Sequence, residues 1–91
     1  MEIHQANARD LTNLAIAQFN LGRFGDARQS ARAALRIEPQ CAAAHYILGL
    51  ALAIDRATLR EAIPHLEEAA KTIPSAGVNL ERAKAALDVP Q

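Results

Sequence analysis

Cys41 and His45 stand four residues apart, a spacing that puts two metal-ligating side chains on one face of a helix. A structural zinc site needs four ligands, and the sequence supplies no second pair at comparable spacing. His4, His45 and His65 are widely separated along the chain, and His45 reads as a half-buried, hydrogen-bonded packing residue. Glu67 and Glu68 are paired carboxylates, but adjacent residues on a helix point in different directions, so they cannot share acid–base work. Serine occurs only at Ser30 and Ser75, without the G-x-S-x-G context of a nucleophile elbow. Gly22 and Gly25 mark a turn, with no phosphate-loop pattern around them. The expectation is a protein that is not an enzyme and uses no metal or other cofactor.

Composition narrows the alternatives. Ten basic and ten acidic residues cancel, so the basic surplus that drives general nucleic-acid binding is missing. The same balance argues against a surface module for anionic membranes, and no apolar run approaches the ~18–20 residues of a bilayer span. Arg28, Arg32 and Arg36 form an i, i+4, i+8 stripe, expected to be a solvated face partly neutralised by Glu67 and Glu68. A single cysteine cannot form an internal disulfide and fits a reducing compartment. Met1-Glu2-Ile3-His4-Gln5 lacks the basic and apolar regions of a secretory signal, so a cytoplasmic location is expected. Arginine outnumbers lysine eight to two in an alanine-rich chain, an association with GC-rich bacterial sources.

The elements that position these residues are helices. Alanine accounts for 21 of 91 residues, while Phe and Tyr together give three. Alanine is the best helix former and fills little space, so helices must approach closely. A first helical pattern covers 6–21 and ends at Gly22. A second is expected from Asp26, where a carboxylate suits the helix dipole, to just before Pro39. A third covers 42–54, followed by a turn at 55–57. Thr58-Leu59-Arg60-Glu61 reads as a capping box opening a fourth helix that runs to about 72, with Pro64 near its first turn. A fifth covers 76–88, and Pro90 ends it.

These helices repeat. Leu11, Leu14, Ala15 and Gln18 recur after 34 residues as His45, Leu48, Gly49 and Leu52. Ala27, Ala31, Ala34 and Pro39 recur after 35 as Ala62, Leu66, Ala69 and Pro74. The pattern resembles the tetratricopeptide repeat, W-x2-L-G-x2-Y, then A-x3-F, then P. Leu11 and His45 replace the large aromatic, and Gln18 replaces the tyrosine. The resemblance implies an all-α fold, a right-handed α-solenoid of antiparallel helix pairs with five helices. A single domain over 1–91 would hold one repeat at 8–41, a second at 42–75 and a capping helix at 76–88. In the cap, Leu80, Ala83 and Leu87 match His45, Leu48 and Leu52, while Asn79, Glu81, Arg82, Lys84 and Asp88 would face water.

In proteins of this kind the first helix of each pair lines a concave groove that binds peptides or helices. The register puts Asn13, Ile16, Phe19 and Asn20 of the first helix in that groove, with Tyr46, Ile47, Leu50 and Ile54 of the third and Arg82 of the fifth. Arg9, Thr12, Val78, Glu81 and Ala85 extend the same face. Leu11, Leu14, Leu48 and Leu52 are expected to fill the inward positions, leaving the six large apolar groove residues as one exposed patch. Carboxylate-clamp members of the family hold acidic chaperone tails with lysines, arginines and asparagines. Of the matching positions only Asn13 and Arg82 suit that role, so a chaperone tail is not the expected ligand. The implied function is protein–protein interaction: an adaptor or scaffold receiving an apolar peptide or amphipathic helix. The alternative is a structural element that self-associates as a homo-oligomer, or a fragment of a longer array.

Overall fold

The computed structural model describes residues 7–89, all-helical and without a strand among them. His4, Ala6 and Pro90 lie outside the described residues. Five helices follow one another: α1 (Ala8–Asn20), α2 (Phe24–Ile37), α3 (Ala42–Ala53), α4 (Arg56–Ala70) and α5 (Pro74–Leu87). Each packs on the next in sequence, and α3 also touches α1 and α5.

Local chemistry sets the helix ends. The side chain of Asn7 accepts the amide of Asp10 at 2.8 Å and caps α1. At the other end Gly22 has φ +80°, as its sequence position predicts. Its amide donates to Phe19 O at 2.9 Å and that of Arg23 to Gln18 O at 2.8 Å. This is the Schellman pattern, which a left-handed residue closes.

Helix α1 starts at Ala8, two residues later than expected, because Asn7 is its cap, and three further boundaries differ from expectation. First, α2 begins at Phe24, because Phe24 packs edge-on against Phe19 with ring centroids 5.1 Å apart. Asp26 therefore lies within the first turn, where it accepts from Arg23 Nε at 2.9 Å. Second, α4 opens at Arg56 with Asp55 as its cap, the carboxylate accepting from Ala57 N at 2.9 Å. Thr58 is not the cap; its hydroxyl donates to the Leu52 carbonyl at 2.6 Å and ties α4 back to α3. Pro64 consequently sits in the helix interior, not in the first turn. It has no N–H to offer the Arg60 carbonyl, and both residues are exposed. Third, α5 begins at Pro74, since proline is pre-organised for a first helical turn.

The core is built on small residues. Ala15, Ala27, Ala34, Ala62 and Ala69 are completely buried, and Gly49 is buried where α3 meets α4. Leu48, Leu52 and Leu66 are the largest fully buried side chains. The inward set on α1 is weaker than expected: Leu11 is half-buried and Leu14 is 47% exposed. Gln18 compensates in part, because Ser30 of α2 donates to its Oε1 at 2.7 Å and satisfies a largely buried polar pair. On α5, Ala83 is buried and Leu80 and Leu87 half-buried, with Lys84 exposed beside them. No helix among the described residues is long and apolar enough to cross a membrane.

Candidate functional site: an apolar hollow between α1 and α3

Helices α1 and α3 meet through Ala15 on one side and the Ile47–Leu48 stretch on the other. Alanine lets the backbones approach, and larger side chains one turn away leave a hollow of about 270 Å³. Its walls are Ile16, Phe19 and Asn20 from α1, with Ala43, Tyr46, Ile47 and Leu50 from α3. Asn20 carries the sole side-chain amide in this lining; the Tyr46 hydroxyl is the other polar group. Apolar walls with few polar groups suit a hydrophobic side chain better than an ion or a sugar.

Six of the nine groove residues expected from sequence meet in this hollow: Ile16, Phe19, Asn20, Tyr46, Ile47 and Leu50. Their environments differ. Ile16 is exposed, whereas Ile47 is only 6% exposed and belongs to the core, forming the floor. The expectation of an exposed Ile47 is therefore corrected: on α3, positions 47, 48, 51 and 52 are all buried, a broader inward face than a two-residue seam. Phe19, Tyr46 and Leu50 are half-buried and pack against the same core.

Tyr46 reaches across to α5, where its hydroxyl donates to Asn79 Oδ1 at 2.8 Å. Asn79 was expected to face water; it is half-buried instead, because α5 turns it toward α3. Leu50 also lines a second, smaller cleft with Asn79, Arg82 and Ala83, so Arg82 stands on the α5 side of Tyr46 and not in the first hollow. Asn13 is exposed on α1 outside both, and Ile54 is exposed at the C-terminal end of α3. Thr12 is buried, its hydroxyl donating to Ala8 O at 2.7 Å and lying 3.7 Å from Cys41 Sγ. Sequence reasoning missed Ala43, which is exposed at the rim; a small residue on an alanine-rich helix gives no directional signal.

The remaining chemistry lies elsewhere. His45 and His65 are not far apart: α3 and α4 bring their Nδ1 atoms to 3.0 Å. Cys41 is half-buried toward α1, and no group of three or more His, Cys, Asp or Glu among the described residues is arranged to hold a metal. In the arginine stripe, Arg32 pairs with Glu61 at 2.9 Å, not with Glu67 or Glu68; Glu68 pairs with Lys71. Glu61 lies about two turns earlier on α4, where it reaches back to α2. A wider cleft between α4 and α5 sets Arg60 and Lys84 beside Asp88, mixed charges that suit a solvated surface. No family model matches the chain, and no curated protein matches it either.

Proposed function

We propose that this chain is a tetratricopeptide-like right-handed α-solenoid, with repeats at 8–41 and 42–75 and a capping helix beyond. In this reading it is a protein-interaction module that receives an apolar side chain of a peptide or amphipathic helix in the α1–α3 hollow. The fold part is supported by the 34- and 35-residue offsets, which fall on the buried pairs Ala15 and Gly49, Ala27 and Ala62, and Ala34 and Ala69. The functional part rests on one observation: Ile16, Phe19, Tyr46 and Leu50, from separate first helices of the two repeats, converge on one hollow with nearly apolar walls.

A partner covering roughly 400 Å² of this face would gain about 10 kcal/mol of gross burial at ~25 cal/mol/Å². Association itself costs about 4–15 kcal/mol, so micromolar affinity is the expectation. Selection of peptides displayed in a random library against the full chain tests the reading. Enriched sequences should carry a large apolar anchor, and their binding should disappear in Ala43→Glu, which puts a charge at the rim. Absence of enrichment, or binding indifferent to Ala43→Glu, would overturn it.

Self-association is the second reading. It is favoured by exposed Leu14, Leu21 and Ile37, apolar side chains of α1, its C-terminal end and α2 that lie outside the hollow. Sedimentation equilibrium separates the two, since self-association through these residues makes mass depend on concentration and is lost in Leu21→Ser with Ile37→Ser.

A further inference from the structure

Three elements converge on one pair of imidazoles. His45 stands in the first turn of α3 and His65 in the middle of α4, with Nδ1 atoms 3.0 Å apart and ring centroids at 5.3 Å. Nε2 of His45 lies 2.8 Å from the carbonyl oxygen of Pro39, in the turn between α2 and α3. A carbonyl only accepts, so His45 Nε2 carries a proton. In neutral His45 the Nδ1 lone pair is then bare, and the facing His65 Nδ1 must be the donor. The contacts thus dictate both tautomers: Nε2–H for His45 and Nδ1–H for His65.

The same contacts limit the charge. One added proton enters at His65 Nε2, leaving an N–H···N bond between imidazolium and imidazole. A second would sit on His45 Nδ1 and point one N–H at another, between two cations. We propose that His45 and His65 form a one-proton clamp that joins the α2–α3 turn, α3 and α4, and that opens when both rings are charged.

The charged groups facing the clamp come from α2 and α4. Arg32 of α2 acts on His65, as does Glu61 of α4, while Glu68 of α4 acts on His45. Arg32 and Glu61 are paired at 2.9 Å and act on His65 in opposite directions, Glu61 the more strongly. Burial, then the neighbouring His45 ring, then Arg32 push the His65 imidazole below its ordinary value of 6.5, against the opposing pull of Glu61. With one proton already on the pair, the folded chain therefore resists a charge on both rings more than the unfolded chain, where the two rings are apart. The clamp's contribution is complete above pH 6.5 and is lost as pH falls through the lowered value.

Two measurements on the full chain test the clamp. Long-range proton–nitrogen NMR at pH 8 should find His45 as Nε2–H and His65 as Nδ1–H, the less common form of a free side chain. Two Nε2–H tautomers titrating independently would overturn the proposal. The urea midpoint of the wild type should fall between pH 7.5 and pH 5.0, and His65→Gln should lose most of that fall. His4 is common to both proteins and cancels in the comparison. A flat wild-type midpoint, or an undiminished fall in His65→Gln, would also overturn it. If His65→Gln does not fold, His45→Gln provides the same comparison and the wild-type tautomers decide independently.

Discussion

A Cβ placed on Gly49 would stand 2.7 Å from both Cγ and Cδ2 of Leu66, and 3.4 Å from the Leu66 backbone nitrogen. Leu66 is completely buried, so neither its branch point nor its backbone can step aside freely. Alanine would favour the α3 helix by about 1 kcal/mol over glycine. The clash opposes this gain and is the larger effect. Gly49→Ala should destabilise the chain by about 1–3 kcal/mol in urea unfolding. Gly49→Ala with Leu66→Ala should cost clearly less than the two changes summed, because the second makes room for the first. Strict additivity would mean that the two residues do not press on each other.

Proline inside α4 makes the opposite prediction. Pro64 withholds a hydrogen bond from the Arg60 carbonyl and strains the preceding turn, at a cost of up to ~3 kcal/mol in a helix interior. Its rigidity in the unfolded chain returns about 0.4–1 kcal/mol. Pro64→Ala should therefore raise stability by about 1–2 kcal/mol, seen as a higher urea midpoint with an unchanged slope.

The start of α4 shows where sequence signals compete. Thr58 and Glu61 have capping-box spacing, but Asp55, three residues earlier, is an equally good cap and also closes the shorter connection from α3. With Leu52 in reach, the Thr58 hydroxyl is worth more as a bond to the α3 carbonyl. Asp55→Ala should cost about 1 kcal/mol and Asp55→Asn almost nothing, since asparagine caps as well. Equal losses in thermal unfolding would remove Asp55 from the capping role.

The small-residue repeat was legible because it depends on spacing alone. A residue at Ala15, Gly49, Ala27 or Ala62 must be small wherever two helices cross, and periodicity finds it. Orientation about each helix axis was less legible. Ile47 and Leu48 are adjacent, and a largely apolar helix gives no polar stripe to say which faces inward; both do. Leu14 looked inward by period, yet α1 has α2 and α3 on one side only and leaves it exposed. The His45–His65 contact spans 20 residues and depends on how α3 and α4 are rotated, which no local motif encodes.

The hollow calls for variants that separate binding from folding. Tyr46 and Leu50 line the proposed site and also hold the fold: Tyr46 is bonded to Asn79 of α5, and Leu50 packs on the core. Tyr46→Phe should cost about 0.5–1.5 kcal/mol through the lost hydrogen bond, while keeping the ring in the wall. Replacing both residues by serine would remove two apolar walls as well as that bond, so loss of binding there would not distinguish a lost surface from a lost fold. Ile16 and Ala43 are exposed in the same hollow and are free of that ambiguity. Ile16→Ser should shift stability by less than about 1 kcal/mol, since surface positions contribute little. Affinity for a selected apolar peptide should fall by tenfold or more in Ile16→Ser and hardly change in Asn13→Ala, whose side chain lies outside the hollow. Fluorescence titration of the labelled peptide measures both. Equal affinities for the two variants would place the binding surface elsewhere on the molecule.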